Sequence, residues 1–191
     1  MKVIKLNQKA VSKAIKVIMQ GGVVVFPTDT VYGFLASALN KKAVDRIFAI
    51  KKRKKSKPMA IFVKDIRMAK KLAEISEHQE KILKRYWPGK ITVVLKGKPG
   101  MKLYGVKKNT IAIRIPKYKF LNDLLKKINK PLAQTSVNIS GELFLIKIND
   151  IIKKFGRYKD VLIISAGNLK KSKPSKILDL TGKNKKILRH N

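Results

Sequence analysis

The chain has 191 residues, 45% of them hydrophobic, which is enough to bury the core of one domain of ordinary size. It contains no cysteine, which excludes disulfide bonds, thiol catalysis and cysteine-ligated zinc. With 46 basic and 11 acidic residues its formal net charge is +35, so a polyanionic partner such as nucleic acid is expected.

A general enrichment in lysine explains this charge as well as a dedicated nucleic-acid face does, because most of the basic residues are lysines. Both interpretations stay open, since net charge indicates partners and not a fold. No run of eighteen apolar residues occurs, and residues 1–6 lack the pattern of a signal peptide. We therefore expect a soluble, cytoplasmic protein.

Helix and strand signals alternate along the chain. Asn7 predicts a helix cap, Ser76 with Gln79 predicts a capping box, and the apolar run 23–26 predicts a buried strand. The predicted elements are, in order, helices after Asn7 and Asn40 with strand 23–26 between them, strand 59–63, helix 76–86, strands 91–95 and 110–115, helix 118–128, strand 132–136, helix 148–155, strand 161–164 and short strands near 177–180 and 186–188. The alternation predicts one α/β domain, 1–191, with a twisted mixed β-sheet flanked by helices. The lysine-rich stretches 96–108 and 170–176 are predicted to be surface loops.

Five polar clusters lie at predicted strand ends or turns. A rigid sheet can direct side chains at such positions into one crevice, so the clusters are candidates for a common site. They are P-T-D-T-V-Y-G at 27–33, K-K-R at 51–53 with S-K-P at 56–58, T-I-A-I-R at 110–114, S-V-N-I-S-G at 136–141 and P-S-K-I-L-D at 174–179.

Local chemistry alone also explains several of these clusters. The threonines around Asp29 are typical of a turn, and the basic residues at 51–53 are typical of a helix end that complements the macrodipole. Arg114 differs because it interrupts an apolar strand, and its charge needs an anionic partner if it is buried. The chain has neither a P-loop nor a Rossmann glycine pattern, so an ATP site would be built differently.

In combination the clusters resemble the YrdC-like threonylcarbamoyl-AMP synthase family, from the first helix to Arg189 and including Y-W-P-G at 86–89. The resemblance implies a YrdC-like twisted sheet with a concave basic cavity. It also implies synthesis of L-threonylcarbamoyladenylate from L-threonine, bicarbonate and ATP, with release of pyrophosphate, for threonylcarbamoyladenosine modification of tRNA. The sequence departs from the family at Phe62, where many members have a histidine near the threonine pocket.

The resemblance also implies the roles of individual residues. Lys51 and Arg53 are the catalytic candidates. The threonine contacts it implies are Thr30, Arg114, Ser136 and Ser175, and the ATP contacts are Arg53, Lys57, Thr110, Ser136, Asn138 and Arg189. Mg²⁺ is expected to be bound through the ATP phosphates, because no carboxylate cluster offers a protein-built cage. Asp29 is read as a turn-forming residue, with metal binding as the exception.

Two other functions are consistent with the sequence. A non-enzymatic RNA-binding or ribosome-maturation module would use the same basic cavity, although aromatic residues for base stacking are few. A different adenylating enzyme on the same scaffold would take another amino acid in place of threonine. The resemblance favours the synthase, with some RNA affinity through the basic surface and a separate threonylcarbamoyl transferase complex acting downstream.

Overall fold

Ten strands and six helices alternate in the computed structural model over the residues that it describes, 2–170, 172–182 and 184–190. The strands are β1 (Lys2–Lys5), β2 (Val23–Phe26), β3 (Gly33–Ser37), β4 (Ala60–Phe62), β5 (Ile91–Lys96), β6 (Thr110–Arg114), β7 (Leu132–Ser136), β8 (Val161–Ser165), β9 (Lys176–Asp179) and β10 (Lys186–Arg189). The helices are α1 (Gln8–Met19), α2 (Lys41–Ile50), α3 (Ile66–Leu72), α4 (Glu77–Tyr86), α5 (Lys119–Ile128) and α6 (Ile148–Phe155).

All of these strands belong to one sheet, in the order β1-β8-β2-β3-β7-β4-β6-β5-β9-β10. The pairs β1–β8, β8–β2, β4–β6 and β5–β9 are parallel, and the other neighbours are antiparallel. The sheet is therefore mixed, and the predicted α/β class with flanking helices is confirmed.

Alternation along β2 explains how the two faces of the sheet are covered. Val24 and Phe26 pack with the apolar residues of α1 and α5, whereas Val23 and Val25 pack with those of α2 and α6. Successive side chains of a strand point to opposite faces, so a strand covered on both sides needs an unbroken apolar run. The run at 23–26 supplies it.

Two of the helix caps that the sequence predicted are present. The side chain of Asn7 accepts a hydrogen bond from the backbone N–H of Ala10 at 2.8 Å, before the first residue of α1. Ser76 and Gln79 form a reciprocal capping box at the start of α4. Each satisfies backbone N–H groups that have no partner inside the helix. No helix in the described part of the chain is long and apolar enough to cross a membrane.

Half of the sheet is left without helix cover on the side of α1 and α5, and this half positions the site. In β6, Ile111 and Ile113 belong to the core on the α2 and α6 side. Ala112 and Arg114, offset by one residue, point to the opposite side and line a cavity. The strand pleat thus separates core residues from cavity residues.

The sequence did not predict three of the elements, namely β1, β3 and α3. The edge strand β1 is mostly exposed and has no apolar alternation, and β3 follows directly on a turn and owes its place to antiparallel pairing with both β2 and β7. The seven-residue helix α3 is capped by Asp65, whose side chain accepts a hydrogen bond from the backbone N–H of Met68 at 2.7 Å. Tertiary pairing and a short cap, rather than periodicity, define these elements.

The predicted lysine-rich loops are confirmed in part. Most of 96–108 lies between β5 and β6, but Lys96 is the last residue of β5. Of the stretch 170–176, Lys176 is the first residue of β9, and Lys171 lies outside the described residues.

Candidate active site

A cavity of about 160 Å³ lies on the uncovered half of the sheet. Its walls come from the β2–β3 turn, from the segment between α2 and β4, from strands β4, β5, β6, β7, β9 and β10, and from the segment before β9. The lining residues with polar side chains are Thr30, Arg53, Thr92, Arg114, Gln134, Thr135, Ser136, Ser175 and Arg189. Six of the residues that the sequence singled out therefore share one cavity, namely Thr30, Arg53, Arg114, Ser136, Ser175 and Arg189.

Arg114 is the most constrained of these side chains, with 2% of its surface exposed. Its Nη2 donates to Asp29 Oδ1 at 2.5 Å, its Nε to the carbonyl of Gly89 at 2.8 Å, and its Nη1 lies 3.4 Å from Thr30 Oγ1. The guanidinium also lies over the ring of Phe62, 5.6 Å from its centroid. Burial lowers the pKa of Arg114, and the carboxylate of Asp29 opposes that shift.

Asp29 thus supplies the anionic partner that a buried arginine at position 114 requires. Its second oxygen accepts a hydrogen bond from the backbone N–H of Lys117 at 3.0 Å. The carboxylate ties the β2–β3 turn to the segment after β6, and it leaves the Arg114–Asp29 pair without net charge. One of the three arginines that line the cavity is neutralised in this way. The expectation of a basic cavity stays a prediction.

Two hydroxyl groups of the cavity lining contact each other. Thr92 Oγ1 and Ser175 Oγ are 2.8 Å apart, and both side chains are buried. Arg189 donates through Nε and Nη2 to the carbonyl of Ser175, at 2.9 and 2.5 Å, and its Nη2 lies 3.2 Å from Ser175 Oγ. Burial lowers the pKa of Arg189, and the positive charge of Arg114 lowers it further.

Lys51 lies behind the cavity wall, with 1% of its surface exposed. Its Nζ donates to the carbonyls of Ser136 and Asn138, at 2.6 and 2.9 Å, and to Asn138 Oδ1 at 2.8 Å. The ammonium group therefore holds the turn that follows β7. Its predicted catalytic role stays a prediction, and what it contacts in this structure is the S-V-N-I-S-G segment at 136–141.

The side-chain amide of Asn138 is used within the same turn. Its Oδ1 accepts from Lys51 and from Ser136 Oγ at 2.8 Å, and its Nδ2 donates to the carbonyls of Ile139 and Glu142. Asn138 is next to the cavity wall but is not among the lining residues given above. Its predicted nucleotide contact stays a prediction.

Arg53 reaches the cavity from the segment after α2. Its Nε and Nη2 donate to the carbonyls of Lys57 and Pro58, at 2.9 and 2.7 Å, so the guanidinium shapes the loop that leads into β4. Burial lowers the pKa of Arg53. The side chain of Lys57 is exposed, and Thr110 lies on the Arg114 face of β6 but about 13 Å along the strand from it. Neither lines the cavity.

The buried ammonium of Lys51 leads to a prediction about stability and pH. Burial and, second, the charge of Arg53 lower its pKa from 10.5 to about 7. Between these values the unfolded chain binds more protons than the folded chain, so the free energy of unfolding should rise with pH, by at most about 1.4 kcal/mol per pH unit. Below the folded pKa the cost of burying the charge is fully present.

Urea unfolding of the wild type and of Lys51→Met at several pH values from 7 to 10.5 would test this. The stability of the wild type relative to the variant should increase with pH. A constant difference would mean that the three carbonyl oxygens keep Nζ protonated throughout.

Sequence reasoning missed five residues around the cavity. Thr92, Gln134 and Thr135 line it, while Thr28 and Asp29 support the lining residues Thr30 and Arg114. A signal for Asp29 was available, because a buried Arg114 needs an acid and only two of the polar clusters contain one. The three strand residues that line the cavity were not assigned to it, since single polar residues in strands are common on exposed faces.

The residues around the cavity do not form a metal cage. Within the described ranges no group of three or more His, Cys, Asp or Glu side chains is arranged to hold a metal ion. Asp29, the carboxylate beside the cavity, already binds Arg114 and the N–H of Lys117. A larger cavity of about 410 Å³ beside α3 is lined by none of the sequence-predicted site residues.

Comparison with known proteins gave consistent matches. A family model named Sua5_yciO_yrdC, described as "Telomere recombination", matches residues 16–191. A putative threonylcarbamoyl-AMP synthase of Methanocaldococcus jannaschii is 37% identical over 183 residues, which cover 94% of this chain and 86% of that protein. The threonylcarbamoyl-AMP synthase of Pyrococcus abyssi is 35% identical over 167 residues, covering 86% of this chain.

The solved structure of P. abyssi Sua5 complexed with L-threonine superposes with a TM-score of 0.87 at 30% identity. The match covers 98% of this chain but 56% of that one, so the chain spans about half the length of the Pyrococcus relative. The structure of Escherichia coli YciO superposes equally well, with a TM-score of 0.87 at 25% identity, and the match covers 93% of that chain.

Proposed function

Since the chain belongs to the Sua5/YciO/YrdC family, we propose that it makes L-threonylcarbamoyladenylate from L-threonine, bicarbonate and ATP and releases pyrophosphate. The observation that carries this proposal is the cavity in which Arg114, Thr30 and Ser175 meet Arg53 and Arg189. The L-threonine complex of the Pyrococcus relative supports an amino acid as the ligand of such a site.

The chemistry needs no nucleophile from the protein. The threonine amine takes up carbon dioxide derived from bicarbonate, and the proton that the amine loses leaves as water with the hydroxide from bicarbonate. A carbamate oxygen then attacks the α-phosphorus of ATP, its bond to the bridging oxygen breaks, and pyrophosphate leaves. The carboxylate, carbamate and triphosphate are all anionic, so the protein must align them and neutralise their charge in a confined space. Arginines in a small cavity meet both needs, because the planar guanidinium binds carboxylate or phosphate with two hydrogen bonds.

The proposal assigns Arg114 to the threonine carboxylate. Nη2 donates to Asp29, Nε to the carbonyl of Gly89 and Nη1 to Thr30, so within the described residues one N–H of Nη1 and one of Nη2 remain for a ligand. The fixed guanidinium then needs no reorganisation when threonine binds.

The proposal assigns Arg53 and Arg189 to the triphosphate. Within the described chain their hydrogen-bond acceptors are carbonyl and hydroxyl oxygens, so no carboxylate neutralises them. Lys57, Thr110 and Asn138 are further nucleotide contacts, and Ser136 lies between the two substrates. Lys51 acts by holding the turn that carries Ser136. Mg²⁺ enters with ATP and is bound through its phosphates, since the cavity offers no protein cage.

A direct assay tests this proposal. Protein, ATP and bicarbonate are incubated with threonine, valine or serine, and pyrophosphate and a threonylcarbamoyl adenylate are measured, the adduct by its mass. Product with threonine, and much less with valine, is expected because a pocket that binds a hydroxyl rejects an analogue lacking it. Product with another amino acid alone would support the alternative adenylating enzyme. Absence of any adenylate would contradict the proposal.

The pathway context is also a proposal. One domain spanning 1–191 supplies the adenylate in the cytoplasm, and a separate transferase complex transfers the threonylcarbamoyl group to tRNA. The match to the putative synthase of M. jannaschii, which covers 86% of that protein, supports this proposal.

RNA affinity is expected to be independent of the chemistry. The net charge of +35 comes largely from lysines outside the cavity. Binding of tRNA should be indifferent to sequence and should fall steeply with salt, since it arises from contacts to phosphates. Adenylate synthesis should proceed without RNA. Affinity for tRNA that survives about 0.5 M salt, or a strict RNA requirement for synthesis, would favour the RNA-binding module instead.

A further inference from the structure

The β2–β3 turn contains a threonine whose hydrogen-bonding capacity is fully used. The hydroxyl of Thr28 is 2.7 Å from the carbonyl oxygen of Val31, and because a carbonyl can only accept, Thr28 is the donor. The same oxygen accepts from the backbone N–H of Thr30 at 3.0 Å. It also lies 2.9 Å from Thr30 Oγ1. Since its one proton is already committed, Thr28 can only accept in this last contact.

The direction of that hydrogen bond fixes the state of Thr30. Its hydroxyl proton must point to Thr28 Oγ1, away from the cavity. Thr30 Oγ1 keeps two lone pairs, and Arg114 Nη1, at 3.4 Å, is directed to one of them. Thr30 is 5% exposed and lines the cavity. What it offers a ligand is therefore an acceptor only.

We infer that Thr28 is a positioning residue that makes Thr30 an acceptor-only contact for an O–H or N–H donor of the amino-acid substrate. The inference rests on the proposed function. Carboxylate, carbamate and phosphate oxygens carry no proton, so they would leave a buried acceptor facing another acceptor beside Thr30. Threonine has two groups that can donate, its side-chain hydroxyl and its amine.

The neighbouring groups extend this polarity along the cavity wall. Arg114 offers only donors, and it lies next to Thr30. An amino acid presents an acceptor-only carboxylate next to a donating amine or hydroxyl, which is the complementary order. The donor groups of Arg114 next to the acceptor oxygen of Thr30 thus set the orientation of the substrate, with its carboxylate at Arg114 and its donor at Thr30.

The variant that tests this role is Thr28→Val, which keeps the shape of the side chain and removes the hydroxyl. The Thr30 proton then loses its acceptor and turns toward the ligand, so the Kd for threonine should rise about tenfold while the Kd for ATP stays within about twofold. Thr28→Ser, which restores the hydroxyl, should return both values to those of the wild type. Ser37→Ala, at the far end of β3, is the control for loss of a buried hydroxyl remote from the cavity.

Parallel titrations with valine identify the donor. If the donor is the side-chain hydroxyl, Thr28→Val loses affinity for threonine and not for valine. If it is the amine, the loss is equal for both amino acids. An unchanged threonine Kd in Thr28→Val, or an equal loss in Thr28→Ser, would overturn the inference, the second because the hydroxyl would then not be what matters.

A measurement on the wild type covers the case in which Thr28→Val does not fold. Neutron diffraction from deuterated crystals, without ligand and with threonine, locates the hydroxyl deuterium of Thr30. We expect it on the line to Thr28 Oγ1 in both states; a deuterium pointing into the cavity would overturn the inference. The ligand-free crystal tests the direction of the Thr30 hydrogen bond without any substrate. The proposed function is tested separately, because a wild type that binds no threonine and makes no adenylate would contradict it.

Discussion

Replacing Arg114 by lysine should raise the KM for threonine at least about thirtyfold while the KM for ATP changes by less than about threefold, which corresponds to roughly 2 kcal/mol of lost binding. The guanidinium contacts Asp29, Gly89 and Thr30 together. An ammonium group is a single point that cannot keep these contacts and also bind a carboxylate through two hydrogen bonds. The loss should therefore fall on threonine.

Arg46→Lys provides a matched control. Arg46 also forms a two-bond pair with a carboxylate, to Asp160 at 2.6 and 2.7 Å, but on the surface and away from the cavity. It should leave both KM values unchanged and cost less than about 1 kcal/mol of stability. If Arg114→Lys weakens threonine and ATP equally, Arg114 acts through the shape or charge of the whole cavity and not as a carboxylate clamp.

Replacing Arg53 by alanine should lower kcat/KM for threonine-dependent pyrophosphate release at least about 100-fold, or about 2.7 kcal/mol of transition-state stabilisation. Arg53 brings a charge without a carboxylate partner into the cavity and also holds the carbonyls of Lys57 and Pro58. Lys57→Ala should cost about tenfold, because its exposed ammonium is free to reach phosphates.

The variant Arg53→Lys separates the charge of Arg53 from its hydrogen bonds to the loop before β4, and Lys54→Ala is the control. Arg53→Lys keeps the charge and loses the fork that binds two carbonyls, so activity between those of Arg53→Ala and the wild type would show that both matter. Lys54→Ala removes a neighbouring exposed lysine and should change activity by less than about twofold. Wild-type rates in Arg53→Ala, with unfolding unchanged, would remove Arg53 from the site.

Much of this fold was predictable because local signals agreed with tertiary structure. The caps at Asn7 and Ser76 mark real helix starts, and the apolar run 23–26 is a strand covered on both faces. Strand β3 was not predictable, because it is defined by its pairing with β2 and β7. No sequence signal separates its first residue from the preceding turn. Strand order across the sheet likewise depends on contacts between distant parts of the chain.

For the site, the sequence predicted which clusters converge but not how the side chains share hydrogen bonds. Arg114 was expected to need an anion, and the structure supplies Asp29. Lys51 was a catalytic candidate, and this role stays a prediction; the structure adds that its three acceptors belong to Ser136 and Asn138. These hydrogen bonds cannot be predicted from spacing, because a lysine side chain is long enough to reach either a ligand or a backbone carbonyl.

The alternation of β6 has a consequence for how the chain tolerates changes in length. Ala112 and Arg114 face the cavity, and Ile111 and Ile113 face the core. Inserting or deleting one residue within β6 would exchange the two sets, placing a guanidinium in the core and isoleucine in the cavity. The segment 97–109 belongs to none of the ten strands, so a change in its length does not exchange core and cavity residues. Gaps among homologues should therefore fall in that segment, and β6 should keep its length.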